Sequence, residues 1–308
     1  MISFLNALQA SALFLVVTLA PFGLLVAILI FRKRFLVNRN RRSPLTSELL
    51  RPPGFGLLER IEDLNWDIGG DAMAVVMVSP FFAGVYLAQV QANPDLNPWI
   101  VIPLSAIFGG ALVAFFGVRI VKRVVERQKY REALAGELAT AQLLEPVLAK
   151  GGRLFHDVQA PGFNIDHVVV CSGGVYAVET KHRLKPTTGH RNCQSRVSFD
   201  GKALHFPGWT ETKPIEQARA QARWLSGRLS RSTGLTVKSR PVLALPGWYV
   251  ELKVRSDVMV TNPKNWHFML KPIPNERALP EKTIQRIAFQ IEQLCQMPTP
   301  GESDRSRS

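Results

Sequence analysis

The chain begins with long apolar runs and continues with shorter, alternating ones. Uncharged stretches at about 10–31, 72–92 and 97–118 are each long enough to cross the hydrocarbon core of a bilayer as a helix. The short connection between the second and third contains no Lys or Arg, which predicts a transmembrane hairpin. Three such runs are difficult to bury in the core of a 308-residue soluble protein. We therefore predict three membrane helices within residues 1–118, with a cytoplasmic loop at 32–71.

After residue 118 the pattern changes to that of a folded domain. Helical periodicity over 126–150 is followed by the strand-like runs RLFHDV, NIDHVVVC and GVYAVETKHR, and by a small hairpin in SRVSFDGKALHF. A helix from Pro214, strands near 237–245 and 257–261 and a final helix at 281–296 complete the order. The sequence predicts an α/β domain over 119–296, with a mixed sheet flanked by helices. We expect residues 297–308 to form a disordered tail, with the sequence MPTPGESDRSRS.

The charge is distributed unevenly. The chain has 38 Lys and Arg against 24 Asp and Glu, a net charge of +14, and nearly all of the excess follows residue 118. Basic clusters follow the first and third apolar runs, so the positive-inside rule places the amino terminus outside and the domain in the cytoplasm of a multi-pass inner-membrane or plasma-membrane protein. Because the three runs contain no Asp, Glu, Lys, Arg or His, a transporter is not expected. The three cysteines form no C-x-x-C pair, which fits a reducing compartment.

Candidate chemistry lies on two neighbouring strands. Asp166 shares its strand face with the apolar positions of NIDHVVVC, and Glu179 and Lys181 share theirs with the apolar positions of GVYAVETKHR. If the strands pair across the turn at 172–174, the two carboxylates come close and repel each other. A divalent cation such as Mg²⁺ relieves that repulsion, and a neighbouring ammonium can orient a water molecule. The tripeptide Glu179-Thr180-Lys181 has another interpretation, namely a surface strand that ends in a solvated Glu and Lys.

Four segments together resemble a known family. GELATAQLL with Glu137, NIDHVVV with Asp166, VYAVETKH with Glu179 and Lys181, and KPIEQARAQ with Gln217 are similar to the motif series of the nuclease-related domain (NERD) family. That family belongs to the PD-(D/E)XK nuclease superfamily, and the resemblance extends over about 126–261. It implies a restriction-endonuclease-like fold, although Ile165 stands where the superfamily name has Pro.

The resemblance also implies roles for individual residues. Asp166 and Glu179 would be ligands of Mg²⁺ or Mn²⁺, with the backbone carbonyl of Thr180 as a third oxygen. Lys181 would position the attacking water. Glu137 from the preceding helix would contribute to a metal-bound water or as an additional ligand. Gln217 from the following helix would support the site and complete the catalytic set, with an ordinary polar residue of an amphipathic helix as the alternative.

Nucleic acid is the partner that these features predict. The basic stretch 181–213 carries Phe199, Phe206 and Trp209, and such a stretch could line a groove for a phosphate backbone; a solvated or lipid-attracted loop is the alternative. The resulting hypothesis is a membrane-anchored, metal-dependent nuclease that hydrolyses nucleic acid, DNA in preference to RNA, on the cytoplasmic side. A non-catalytic, membrane-tethered scaffold that binds nucleic acid, lipid or protein stays open. The sequence does not indicate the oligomeric state or a choice between endonuclease and exonuclease.

Overall fold

A computed structural model of the chain describes residues 49–93, 97–186, 195–272 and 277–296. They divide into two compact units, the first formed by Glu62–Gln128 and the second by the segment that ends at Ile61 together with the chain from Lys129 onward. The first predicted membrane span, 10–31, and the predicted tail, 297–308, lie outside the described residues. The domain boundary predicted at 118 stays a prediction.

Two long helices contain the second and third predicted spans. These are α1, Phe55–Ala92, and α2, Pro98–Leu144. Both are long and apolar enough to cross a membrane, and only 6% of the most apolar window of each is buried. Each is also longer than the span predicted within it. No Gly or Pro interrupts the sequence between 118 and 135, so the third apolar run continues without a break into the helix expected from 126.

In the first unit the two helices pack side by side as the predicted hairpin requires. A β-carbon built on Gly109 of α2 would lie 3.4 Å from the Phe82 ring of α1. Asp71 of α1 is almost completely buried and forms ion pairs with Arg119, at 3.3 Å, and with Arg123. These contacts fix the pairing of the two helices at the end where the basic residues follow the third run.

The second unit contains two mixed sheets. The larger has the order β1-β2-β3-β7-β9, in which β1, β2 and β3 are antiparallel neighbours and β7 and β9 add in parallel. The smaller has the order β6-β5-β4-β8. The strands are β1 Arg153–Ala160, β2 Phe163–Cys171, β3 Gly174–Thr180, β4 Arg196–Phe199, β5 Leu204–Phe206, β6 Trp209–Glu211, β7 Ser239–Ala244, β8 Tyr249–Leu252 and β9 Met259–Thr261.

Helices cover both faces of the larger sheet. On one face lie α3, Lys213–Thr233, and α4, Glu281–Glu292, which bury aliphatic side chains such as Leu225 and Ile287 against β2 and β3. On the other face the end of α2 and two 3₁₀ helices, Glu145–Lys150 and Pro263–Leu270, bury a second apolar cluster. The predicted mixed α/β architecture is confirmed, and the described residues show two apolar helices of membrane length before it.

The smaller sheet was only partly predicted. The hairpin expected in SRVSFDGKALHF forms as β4 and β5, but β6 and β8 were not foreseen. Phe199 and Phe206 are buried in the core of this sheet, and the ring of Trp209 stacks on that of Phe206. These two phenylalanines are therefore unavailable for stacking on bases, and the expectation that they line an open groove is wrong.

Candidate functional site

The β2–β3 hairpin brings Asp166 and Glu179 together. The register pairs Cys171 with Gly174 and His167 with Val178, so Asp166 and Glu179 occupy the next opposing positions. Both point to the sheet face that α3 covers, because alternate residues of the two strands lie in that core. The Asp166 carboxylate accepts a 2.7 Å hydrogen bond from the Thr180 backbone N–H, which ties the open ends of the two strands to each other.

Lys181 lies directly beside this pair. Its Nζ is 2.6 Å from Oε1 of Glu179, and its side chain is 24% exposed whereas that of Glu179 is 2% exposed. The backbone of Lys181 also donates to the Ala244 carbonyl at 2.9 Å, so the pairing of β3 with β7 continues one residue beyond the strand. The ammonium therefore stands between the buried carboxylate and solvent.

Glu137 reaches the same place from α2, because Gly136 allows the helix to approach closely. A β-carbon at Gly136 would lie 2.5 Å from Cβ of His182, the residue that follows Lys181. Glu137 is only 7% exposed. Burial raises its pKa to about 7, and the negative charges of Asp157 and Glu179 add to the effect.

The glutamine that reaches the site is Gln221, and sequence reasoning missed it. Gln217, the predicted residue, is exposed on α3. Gln221, one helical turn later, is buried and donates from Nε2 to Oε2 of Glu179 at 2.5 Å. A signal was present in the sequence, since Gln221 falls on the apolar stripe of the helix, three residues after Ala218 and four before Leu225.

The site contains three carboxyl groups and one ammonium group, so it would be net negative with every group ionised. Burial raises the pKa of Asp166 well above its usual value, and the charges of Glu179 and Glu137 raise it further. Within the described residues, Lys181 is the only cation in an ion pair with any of these three carboxylates. A bound divalent cation would offset the remaining repulsion.

The donor set fits such an ion in charge and in chemistry. Carboxylate oxygens are the ligands that Mg²⁺ and Mn²⁺ prefer. Gln221 Oε1, beside Glu179, is a buried acceptor that has no hydrogen-bond partner among the described residues. In the described parts of the chain, however, no three His, Cys, Asp or Glu side chains are already grouped to hold a metal. Both oxygens of Glu179 are engaged, by Lys181 and by Gln221. The role of Thr180 as a backbone ligand stays a prediction.

The histidines next to the site have a structural role. His156 and His167 face each other across β1 and β2, with their Nδ1 atoms 2.8 Å apart. Burial lowers the pKa of His156 to about 4 and that of His167 well below its usual value. A neutral pair can share one proton between the two nitrogens, whereas two charged rings would repel each other.

The basic stretch after β3 is partly neutralised. Arg183 forms a two-bonded ion pair with Glu211, at 2.7 and 2.8 Å, and Arg196 lies over the Tyr249 ring and 3.6 Å from Glu251. Lys202 and Lys213 are exposed, and residues 187–194 lie outside the described chain. Arg183 therefore binds the edge strand of the smaller sheet, and the exposed lysines in the described part of the stretch, Lys185, Lys202 and Lys213, can meet an anionic ligand.

Comparison with known families identifies the region around these residues. The family model of the nuclease-related domain, NERD, matches residues 132–246, a range that runs from α2 to just beyond β7 and contains Glu137, Asp166, Glu179, Lys181 and Gln221. No curated protein and no solved structure matches the chain. The match indicates a nuclease-like function and divalent-metal dependence in general.

Proposed function

We propose that this chain is a membrane-anchored, metal-dependent nuclease that hydrolyses phosphodiester bonds of nucleic acid, DNA in preference to RNA. The supporting observation is the meeting of Asp166, Glu179, Glu137 and Lys181 at the end of one strand hairpin, inside the range that matches the nuclease-related domain. Burial and neighbouring negative charge raise the pKa values of Asp166 and Glu137, and such perturbed carboxyl groups are typical of a functional site.

Each residue of the candidate site would have its own role in the reaction. Asp166, Glu179 and the Thr180 carbonyl would hold Mg²⁺ or Mn²⁺, which when bound polarises the phosphate and lowers the pKa of a water. Lys181 is placed to donate a hydrogen bond to a phosphate oxygen or to the attacking water, because its side chain reaches solvent. Gln221 holds Glu179 in orientation from α3. Glu137 can accept a proton near neutral pH, since its pKa is about 7.

The anchor and its topology are part of the same proposal. Residues 1–118 would form the membrane region with spans at 10–31, 72–92 and 97–118, and 119–296 the cytoplasmic domain of an inner-membrane or plasma-membrane protein. The two apolar helices of the described chain and the excess of basic residues after the first and third runs support this arrangement. Reporter fusions at position 95 and at the carboxyl terminus test it: the first should report the outside and the second the cytoplasm.

Cleavage by the full-length protein tests the activity. Purified chain in lipid nanodiscs is incubated with linear, circular and single-stranded DNA and with RNA, in Mg²⁺, Mn²⁺ or EDTA. We expect cleavage that needs the ion and that falls by about 10²-fold or more in Glu179→Gln and Lys181→Ala. Glu145→Gln and Lys264→Ala are the matched controls, because both residues are exposed and lie away from the site. Equal cleavage by all four variants would trace the activity to a contaminant.

The rival function is a non-catalytic scaffold tethered to the membrane. The engagement of both Glu179 oxygens by Lys181 and Gln221 favours it, since a carboxylate that is already satisfied has less need of an ion. In that case the nanodisc protein would bind nucleic acid or anionic vesicles with the same affinity in EDTA and in Mg²⁺, and it would release no cleavage product.

A further inference from the structure

Segment 50–56, which leads into α1 and includes its first two residues, lies against the candidate site. Leu50 pairs with Gln296, and the backbone N–H of Arg51 donates to the Cys295 carbonyl at 2.8 Å. The Arg51 guanidinium also bonds to the Gln296 carbonyl at 3.3 Å. The segment is therefore fixed to the end of α4, at the far end of the domain sequence.

Arg51 leads to Glu179 through a continuous chain of hydrogen bonds. Its guanidinium lies 2.9 Å from Oδ2 of Asp157, and Oδ1 of Asp157 accepts from the Asn164 side chain at 2.5 Å. The Asn164 carbonyl then accepts from Gln221 at 3.1 Å, and Gln221 bonds to Glu179. Four hydrogen-bonded contacts therefore connect Arg51 to Glu179.

Asp157 occupies this position in an unfavourable backbone conformation. It is completely buried, and its φ of 47° is the only positive φ of a non-glycine residue in the described chain. Residues other than glycine rarely adopt this backbone conformation, and it persists only where the surrounding structure requires it. The surroundings here are Arg51, Asn164, Gln159 and the close backbone of Gly56, whose β-carbon would lie 3.5 Å from Oδ1.

The same segment also contacts Glu137, through Gly54. The backbone of Gly54 lies beside the Glu137 carboxylate, because a β-carbon built on Gly54 would be 3.6 Å from Oε2 of Glu137. Gly54 has a φ of +73°, and any β-carbon there would collide with the Leu134 side chain on α2. The positive φ and the close approach of this backbone to α2 therefore favour glycine.

We propose that segment 50–56 is an integral part of the candidate site, with Arg51 and Gly54 as positioning residues for the carboxylates of Glu179 and Glu137. The inference rests on the proposed function and specifies which part of the chain that function needs. Arg51 and Gly54 lie on the amino-terminal side of the two apolar helices, whereas the carboxylates lie within or beyond the second. The functional unit is then discontinuous in sequence, and the chain from Lys129 onward does not contain all of it.

Mn²⁺ binding and cleavage by full-length protein in nanodiscs test the inference together. The variants are Arg51→Ala, Arg51→Lys and Gly54→Ala. Arg286→Ala is the control for arginine, an exposed residue of α4, and Gly247→Ala is the control for glycine, with a φ of +82° and no atom near its β-carbon. Unfolding curves establish that each variant is folded, and electron paramagnetic resonance measures Mn²⁺ affinity separately from activity.

We expect Arg51→Ala and Gly54→Ala to lose about 10-fold or more in Mn²⁺ affinity and in kcat, with KM for the nucleic acid little changed, as for changes to groups that orient metal ligands. Arg51→Lys should recover part of the loss, and both controls should behave as the unchanged protein. Folded variants that bind Mn²⁺ and cleave as the unchanged protein does would overturn the inference and leave the proposed function intact. An unchanged protein that binds no Mn²⁺ would overturn both.

Discussion

Gln221 connects Glu179 on β3 to the backbone of β2. Its Nε2 lies 2.5 Å from Oε2 of Glu179 and 3.1 Å from the carbonyl oxygen of Asn164, so a single amide spans the two strands from the helix above them. The orientation of the Glu179 carboxylate is thereby set by α3 as well as by its own strand. Several consequences can be measured.

Gln221→Leu should remove this orientation. We expect a loss of about 1–3 kcal/mol in the free energy of unfolding, because buried polar groups on Glu179 and Asn164 lose their donor, together with a fall in kcat. Gln217→Leu is the matched control on the same helix, and its exposed position predicts a change within about 0.5 kcal/mol. Denaturant unfolding and steady-state cleavage measure the two quantities. A larger effect at Gln217 would mean that the phase of α3 is different.

Gly136→Ala should disturb the approach of α2 to the end of β3. The new methyl group would come within 2.5 Å of His182 Cβ, and overpacking of this kind costs about 1–3 kcal/mol. Gly227→Ala in α3 is the comparison, because the nearest atom to its β-carbon, 3.5 Å away, belongs to the flexible end of Arg231. There, the higher helix propensity of Ala predicts a gain of about 0.5–1 kcal/mol. Thermal unfolding of both variants would contradict this account if the two shifts had the same sign and size.

The pH dependence of stability should reveal Glu137. Its pKa is raised from 4.5 to about 7 in the folded chain, so the folded state holds the proton more tightly than the unfolded state does. In EDTA, the contribution of Glu137 to the free energy of unfolding is fully present below pH 4.5 and is lost as the pH rises to about 7. Asp166 acts in the same direction.

Added Mg²⁺ should reverse this trend, because the ion competes with the protons on these carboxylates. The increase in Tm caused by Mg²⁺ is expected to grow with pH up to about 7 and then to level off. Glu137→Gln should flatten the EDTA profile across that window. An EDTA profile identical to that of the unchanged protein would show that Glu137 does not titrate there.

Asp157→Asn should have opposite effects in two forms of the protein. Asn keeps the acceptor for Asn164 and tolerates a positive φ, but it loses the ion pair with Arg51, so the full-length chain is expected to lose about 1.5–3 kcal/mol. A fragment of residues 119–296 contains Asp157 without Arg51, and removing an unpaired buried charge should stabilise it. Unfolding of the four proteins by denaturant gives the comparison. Destabilisation in both forms would mean that Arg51 is not the partner that matters.

Much of the site could be predicted because it depends on short-range geometry. Asp166 and Glu179 lie on strands joined by a two-residue turn, and strand alternation then decides which face each side chain takes. Lys181 follows by the same alternation. Gln217 was chosen by motif rather than by position on the helix, and the burial pattern of α3 shows Gln221 on the inner face instead.

The sequence by itself determined the apolar runs, the hairpin that carries Asp166 and Glu179, and the mixed α/β order, because each follows from the repeat of side chains along a few neighbouring residues. Tertiary structure decided the rest. The contact between Arg51 and Asp157 joins residues 106 positions apart, and the burial of Phe199 and Phe206 depends on a second sheet completed by β8. No local period encodes which distant segments meet, since that choice is made by the packing of the whole core.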